Sequence, residues 1–180
     1  MTRATIPKAW IDMRFQELPR PEFAGGELRY IFDTSSCYVP GFSQEGDRFA
    51  LSLSPVAMPR QHVDYITRIY DPRLIEPRVV TLIDNAGERV GYLELAREHD
   101  GRIARITNLL VEDGYRRRGY GSLLISRART MAKADGAGSL RAYVSGINAG
   151  AVRFLLGQGM SLVGFSTYED ELMLELGMKV

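Results

Sequence analysis

Cysteine is almost missing from this sequence: Cys37 stands alone, so no disulfide can form within the chain. Histidine is nearly as scarce, at His62 and His99, and no Cys/His grouping has the spacing of a zinc site, so no metal is expected. Lysine occurs only at Lys8, Lys133 and Lys179, and the formal net charge is +1, which leaves no global field to draw the chain to nucleic acid or an acidic membrane. No stretch approaches the roughly 18 apolar residues of a membrane-spanning helix. The segment Met1 to Trp10 holds Arg3, Pro7 and Lys8 rather than an apolar secretory run. These absences imply a cytoplasmic protein with no nucleic-acid partner and no membrane.

What is present suits one domain of 180 residues, 45% of them hydrophobic and 25% charged. Residues 1–26, with Pro7, Pro19, Pro21 and the Gly25-Gly26 pair, read as an N-terminal arm. In the segment 27–77, alternation over Glu27–Asp33 and Arg48–Ser54 predicts two strands, with a turn at Tyr38–Gly41. A break follows from Ser54 to Pro59, and His62–Tyr70 reads as a short helix or an irregular piece. From 78 to 180 the pattern is regular. Strands are expected at Val79–Ile83, Glu88–Glu98 and Arg102–Val111, then a helix over Gly119–Ala134, a strand over Ser139–Ser145, a helix over Asn148–Leu156, and closing strands at Ser161–Thr167 and Glu171–Leu176. That order describes an α/β (α+β) fold: a mixed, mostly antiparallel sheet that turns parallel where a helix crosses over.

The segment Leu109-Leu110-Val111-Glu112-Asp113-Gly114-Tyr115-Arg116-Arg117-Arg118-Gly119-Tyr120-Gly121-Ser122 carries the most chemistry. It runs from a predicted strand through a short turn into glycines that open a predicted helix. The first amides of a helix lack internal partners and the helix dipole adds about half a positive charge there, so such a junction suits phosphate. Glycine at 119 and 121 keeps side chains out of the way, and Arg116 to Arg118 add charge. Taken alone, three arginines are more often a solvated turn. The dinucleotide pattern fails because position 124 is Leu, and no Gly-Lys-Ser/Thr occurs.

These residues resemble a known superfamily. Arg116-Arg117-Arg118-Gly119-Tyr120-Gly121 is similar to the Arg/Gln-x-x-Gly-x-Gly/Ala signature of the GNAT N-acetyltransferases, and Asn148-x-x-Ala151-x-x-Phe154 with Gly159 resembles that family's second block. The resemblance covers residues 79–176. It implies a GNAT-like sheet of about six or seven strands with a splay between two central parallel strands. It further implies acetyl-CoA as cosubstrate, with the amides and charges of Arg116, Arg117, Arg118, Gly119, Tyr120, Gly121 and Ser122 on the pyrophosphate. The backbone of Leu109, Leu110 and Val111 would lie along the pantetheine arm, and Asn148 would touch that arm or cap its helix. Phe32-Asp33-Thr34-Ser35, Gly46-Asp47-Arg48-Phe49 and Ser54-Pro55-Val56 are similar, more faintly, to the start of streptothricin acetyltransferases. The implied activity is transfer of acetyl to a small-molecule amine, with a homodimer compatible. A protein that binds acetyl-CoA without turnover, and one that acetylates protein amines, stay open.

The catalytic half departs from the pattern. Streptothricin-type enzymes carry two adjacent carboxylates where this chain has Thr107 and Asn108, and many relatives carry a tyrosine where it has Leu155. Glu94, among the apolar residues of Val90–Leu95, is therefore the candidate base, the bland alternative being a strand carboxylate facing water. Tyr168 is the candidate acid, the alternative being a rim aromatic.

Overall fold

A computed structural model describes residues 13–99 and 101–180, so the reading of Met1 to Trp10 lies outside the described residues. Nine strands and three helices are seen there: β1 (Arg14–Leu18), α1 (Arg20–Phe23), β2 (Glu27–Glu45), β3 (Arg48–Arg68), β4 (Ile75–Ile83), β5 (Arg89–Arg97), β6 (Ile103–Val111), α2 (Tyr120–Ala134), β7 (Ser139–Ser145), α3 (Ala149–Gly157), β8 (Ser161–Tyr168) and β9 (Glu171–Lys179). Seven strands form one sheet in the order β1-β4-β5-β6-β7-β9-β8, while β2 and β3 form a two-stranded ribbon. Neighbours in the large sheet are antiparallel except β6 and β7. That parallel pairing lasts only from Ile103↔Ser139 to Ile106↔Ala142, after which the two strands part. The expected splay is there, and Thr107 is the first residue beyond the last pair.

Two expectations are corrected. The supposed arm includes β1, whose Arg14 to Leu18 pair with Ile83 to Val79 at the edge of the sheet. The segment 27–68 is a ribbon of two long strands, with Tyr38–Gly41 and Ser54–Pro59 inside them rather than between elements. In a two-stranded ribbon both strands are edges, so Pro40, Pro55 and Pro59 can turn their missing donors outward. Between Thr34↔Gln61 and Ser36↔Ala57 the register slips, and the bulge absorbs Met58, Pro59 and Arg60.

Side chains alternate across the sheet, giving two cores. Val80, Leu82, Leu93, Leu95, Leu140 and Leu174 join Leu124, Ile125 and Ala128 of α2 and Val152 and Leu155 of α3. On the other face Val79 and Leu110 meet Leu18 and the base of the ribbon, through Leu28, Ile69 and Tyr70. The base of the ribbon is thus fixed to the sheet, with Tyr70 donating its hydroxyl to the Leu18 carbonyl. Its far end, with Phe42 stacked on Phe49, is exposed.

Candidate functional site

The splay and the start of α2 lie at the same end of β6. After β6 a 3-10 turn over Asp113–Tyr115 leads to Arg117 at φ 64° and Gly119 at φ 87°. Left-handed residues of this kind let a backbone gather its N–H groups on an anion. No side chain caps α2, so its first-turn amides are left as donors, the first helical bond being Leu123 N to Gly119 O at 3.2 Å. The three arginines divide their work. Arg116 donates to the Val111 carbonyl at 2.9 Å and the Ile31 carbonyl at 3.1 Å, and pairs with Asp113 at 2.6 Å, so it braces the loop against β6 and β2. Arg118 lies over the Tyr115 ring at 5.6 Å. Arg117 is exposed.

Glycine at 121 has a reason the sequence did not show. A Cβ there would stand 2.9 Å from Cζ of Phe154, so the residue is small because α2 and α3 meet there. Tyr120 points into the larger core and only its amide is left for a ligand. Leu110 is buried, whereas Leu109 and Val111 are half-buried, and none of the three pairs with β7, so that edge of β6 is open to an extended partner. Asn148 caps α3, its Oδ1 accepting from Ala151 N at 3.1 Å.

On the ribbon-covered face, β5 and β6 build an acidic centre. Glu94 is fully buried. Its Oε1 accepts from the Tyr70 amide at 2.6 Å, and its Oε2 accepts from Thr107 Oγ1 at 2.7 Å and Asn108 Nδ2 at 2.6 Å. Successive strand residues ordinarily point to opposite faces. Here the ladder steps from Glu94↔Asn108 to Leu95↔Ile106, leaving Thr107 as an extra residue in β6, and this bulge lets two neighbours reach one oxygen. Asn108 is held from behind: its Oδ1 accepts from Thr67 Oγ1 at 2.6 Å and Tyr30 Oη at 3.1 Å. Because a carboxylate only accepts and the two hydroxyls donate, the amide has one orientation that satisfies all three contacts. Burial, followed by the neighbouring Tyr65, pushes the Tyr30 phenol well above its ordinary range, so it stays a donor.

Above this centre opens a cleft of about 670 Å³ lined by Glu27, Ile66, Thr67, Arg68, Asp71, Arg73, Leu74, Glu94, Thr107 and Asn108. Its charges are largely matched. Asp71 takes three contacts from the Arg73 guanidinium, at 3.0, 3.2 and 2.6 Å, and one from the Arg73 amide at 2.9 Å, and these hold its carboxyl down at about 2. Glu27 faces Arg68 at 3.5 Å. Among the described residues, Glu94 is the lining carboxylate with no cationic partner.

Glu94 is therefore not the water-facing carboxylate of the bland reading, and Thr107 and Asn108 hold it from the adjacent strand. Tyr168 ends the edge strand β8 and is exposed, and it is not among the residues that line the cleft. Leu155 is core. Asp33 and Asp47, from the segments that resemble the start of streptothricin acetyltransferases, are not part of the lining; Asp33 pairs with Arg60 and His62 on the ribbon. Sequence reasoning missed Tyr30, Thr67 and Tyr70. Their available signal was the alternation of Leu28, Tyr30 and Phe32, which marks a strand but not what it packs against.

Comparison with known proteins adds to this geometry. Residues 48–160 match the model of the acetyltransferase (GNAT) family. A nourseothricin acetyltransferase structure is similar over 93% of this chain and 98% of its own, with TM-score 0.68 and 22% identity. A protein of Bacillus anthracis str. Ames assigned as a streptothricin acetyltransferase, in complex with acetyl coenzyme A, is similar over 93% and 97%, with TM-score 0.68 and 16% identity. An aminoglycoside 6'-N-acetyltransferase complexed with coenzyme A matches 58% of this chain and 73% of its own at TM-score 0.53 and 14% identity. At these identities the likeness is one of fold. No curated protein sequence matches the chain significantly.

Proposed function

Because this chain belongs to the acetyltransferase (GNAT) family and uses acetyl-CoA as its cosubstrate, we propose that it moves the acetyl group to a primary amine of a small molecule, directly, within a ternary complex. The observation that carries this reading is Glu94, a carboxylate without a cationic partner at the floor of a cleft that opens beside the splay of β6 and β7. A protonated amine entering the cleft passes matched ion pairs at the mouth and meets one unmatched acidic group at the bottom. That group is available to take the proton that an ammonium must lose before it attacks.

The cofactor end is assigned residue by residue. The amides of Gly119, Tyr120, Gly121 and Ser122, with the charges of Arg117 and Arg118, hold the pyrophosphate. The open edge of β6 from Leu109 to Val111 takes the pantetheine arm as an added strand. Arg116 and Asn148 keep the loop and α3 in place rather than touching the ligand. The segment 27–77 supplies the acceptor wall, within a single domain spanning 1–180. When bound, acetyl-CoA supplies the reactive thioester; this chain supplies its position and the proton acceptor.

The test is thiol release. The full chain, incubated with acetyl-CoA and separately with a streptothricin, spermidine, L-lysine or a peptide with a free N-terminus, should release free thiol with a small-molecule amine and show intersecting rather than parallel double-reciprocal lines. Release with the peptide alone would move the acceptor to protein amines. Thiol release with none of them would defeat the reading.

No helix among the described residues is long and apolar enough to cross a membrane.

A further inference from the structure

Resting on that reading, we propose that Thr107 is the relay through which the acceptor's proton reaches Glu94. The inference comes from what surrounds the carboxylate. Glu94 is fully buried and both of its oxygens are occupied, by Tyr70 N on one side and by Thr107 and Asn108 on the other. A backbone amide cannot pass a proton on. The Asn108 amide is fixed with its NH₂ toward the carboxylate, because Thr67 and Tyr30 both donate to its oxygen. Of the three groups that touch Glu94, only the Thr107 hydroxyl both accepts and donates.

Its place in the strand fits the same role. Thr107 is the extra residue of the bulge and the first residue after the last β6–β7 pair, so its side chain is half-buried and lines the cleft. At 2.7 Å its hydroxyl already donates to Oε2, leaving its lone pairs for a donor arriving from the cleft. The ammonium proton passes to Thr107 Oγ1 as the Thr107 proton passes to Glu94 Oε2. The neutral amine then forms its bond to the acetyl carbon, the carbon–sulfur bond breaks with its electron pair on sulfur, and the proton shed by the new amide nitrogen ends on that sulfur. Glu94 returns its proton through Thr107 to water, which resets the pair.

Two measurements test the relay with acetyl-CoA and whichever amine of the panel above the parent acetylates fastest. Thr107→Val keeps the shape and removes the hydroxyl; kcat should fall about a hundredfold, the low end of a general-base contribution, with protection by acetyl-CoA against thermal unfolding unchanged. Thr107→Ser should restore most of the rate, which a purely structural threonine would not do. On the unaltered protein, the dependence of kcat on the heavy-water fraction should be bowed, as two protons move together. A linear dependence, or a Thr107→Val enzyme that matches the parent, would overturn the relay. Loss of rate in Glu94→Gln beside an unaffected Thr107→Val would leave Glu94 as base and remove only Thr107, whereas a fully active Glu94→Gln would remove the base itself.

Discussion

Two neighbouring sites along β6 are made of different material. The end that meets α2 is built from backbone: uncapped amides, left-handed residues at 117 and 119, and an open strand edge, with Arg116 bracing them. The face that meets the ribbon is built from side chains contributed by separate elements, with Glu94 on β5, Thr107 and Asn108 on β6, Tyr30 on β2, Thr67 on β3, and Tyr70 after it. A backbone site depends on where the chain turns, so many side chains can change around it. A side-chain site depends on each group finding its partner, so single atoms matter. The first kind suits a cofactor that never varies and the second an acceptor that does.

Exchanging one oxygen of Glu94 for an NH₂ should break the contrast hardest. Glu94→Gln turns the group at the floor from an acceptor into one that must face the Thr107 and Asn108 donors. Turnover should drop by roughly 10²–10⁴-fold while the acetyl-CoA-induced rise in melting temperature persists, as read by thiol release and thermal shift. If cofactor protection vanished as well, the two sites would not be separable. A smaller effect is expected at the backbone site from Arg117→Ser combined with Arg118→Ser. Affinity for acetyl-CoA, measured calorimetrically, should weaken by about tenfold and lose much of its salt dependence, because exposed charge-assisted contacts are modest and screened. Unchanged affinity would leave phosphate binding to the amides alone.

Gly121→Ala separates packing from ligand contact. With Phe154 Cζ only 2.9 Å from the new methyl, the fold should lose about 1–3 kcal/mol in chemical denaturation. Adding Phe154→Leu should recover stability; no recovery would mean that the methyl acts on something other than that ring. The smallest effect belongs to Asp71, a half-buried carboxylate paired with the exposed Arg73 in the cleft lining. Its contacts with Arg73 hold its carboxyl near 2, below the unfolded value of about 3.9. Pairing therefore stabilises the fold above about pH 4 and ceases to do so as pH falls through about 2. The melting temperatures of the parent and of Asp71→Asn should differ slightly at neutral pH and converge over that window; a gap that widens on acidification would reverse the sign.

The same division explains what could be read from the sequence. Arg116 to Ser122 and Asn148 to Phe154 were legible because a strand-to-helix junction with glycines, and a helix opened by asparagine, are local patterns. Strands from Val79 onward were legible from alternation. The ribbon was not, since Pro40, Pro55 and Pro59 read as interruptions in any strand buried on both edges, and nothing local says that a strand has no second neighbour. Glu94 could be suspected from its apolar neighbours, but its partners come from residues 13, 14 and 24 positions away, two of them through a register slip that no period reveals. Gly121 shows a milder failure: glycine was expected there, and the atom that excludes a side chain belongs to Phe154 of another helix.

The bulge at Thr107 also bears on how such proteins diverge. A regular strand shows a pocket every second side chain, so a charged group lost from one position has no near substitute on the same strand. With one extra residue, β6 shows the pocket two consecutive side chains, both within reach of a third group directly across the ladder at Glu94. Three positions then share one locus, and selection can carry the acidic group from one to another without moving the backbone. The resemblance to streptothricin-type enzymes implies carboxylates at the positions of Thr107 and Asn108; here the carboxylate at this locus is Glu94, on the neighbouring strand. Such an arrangement allows a charge to hold its point in space while the residue number that carries it drifts.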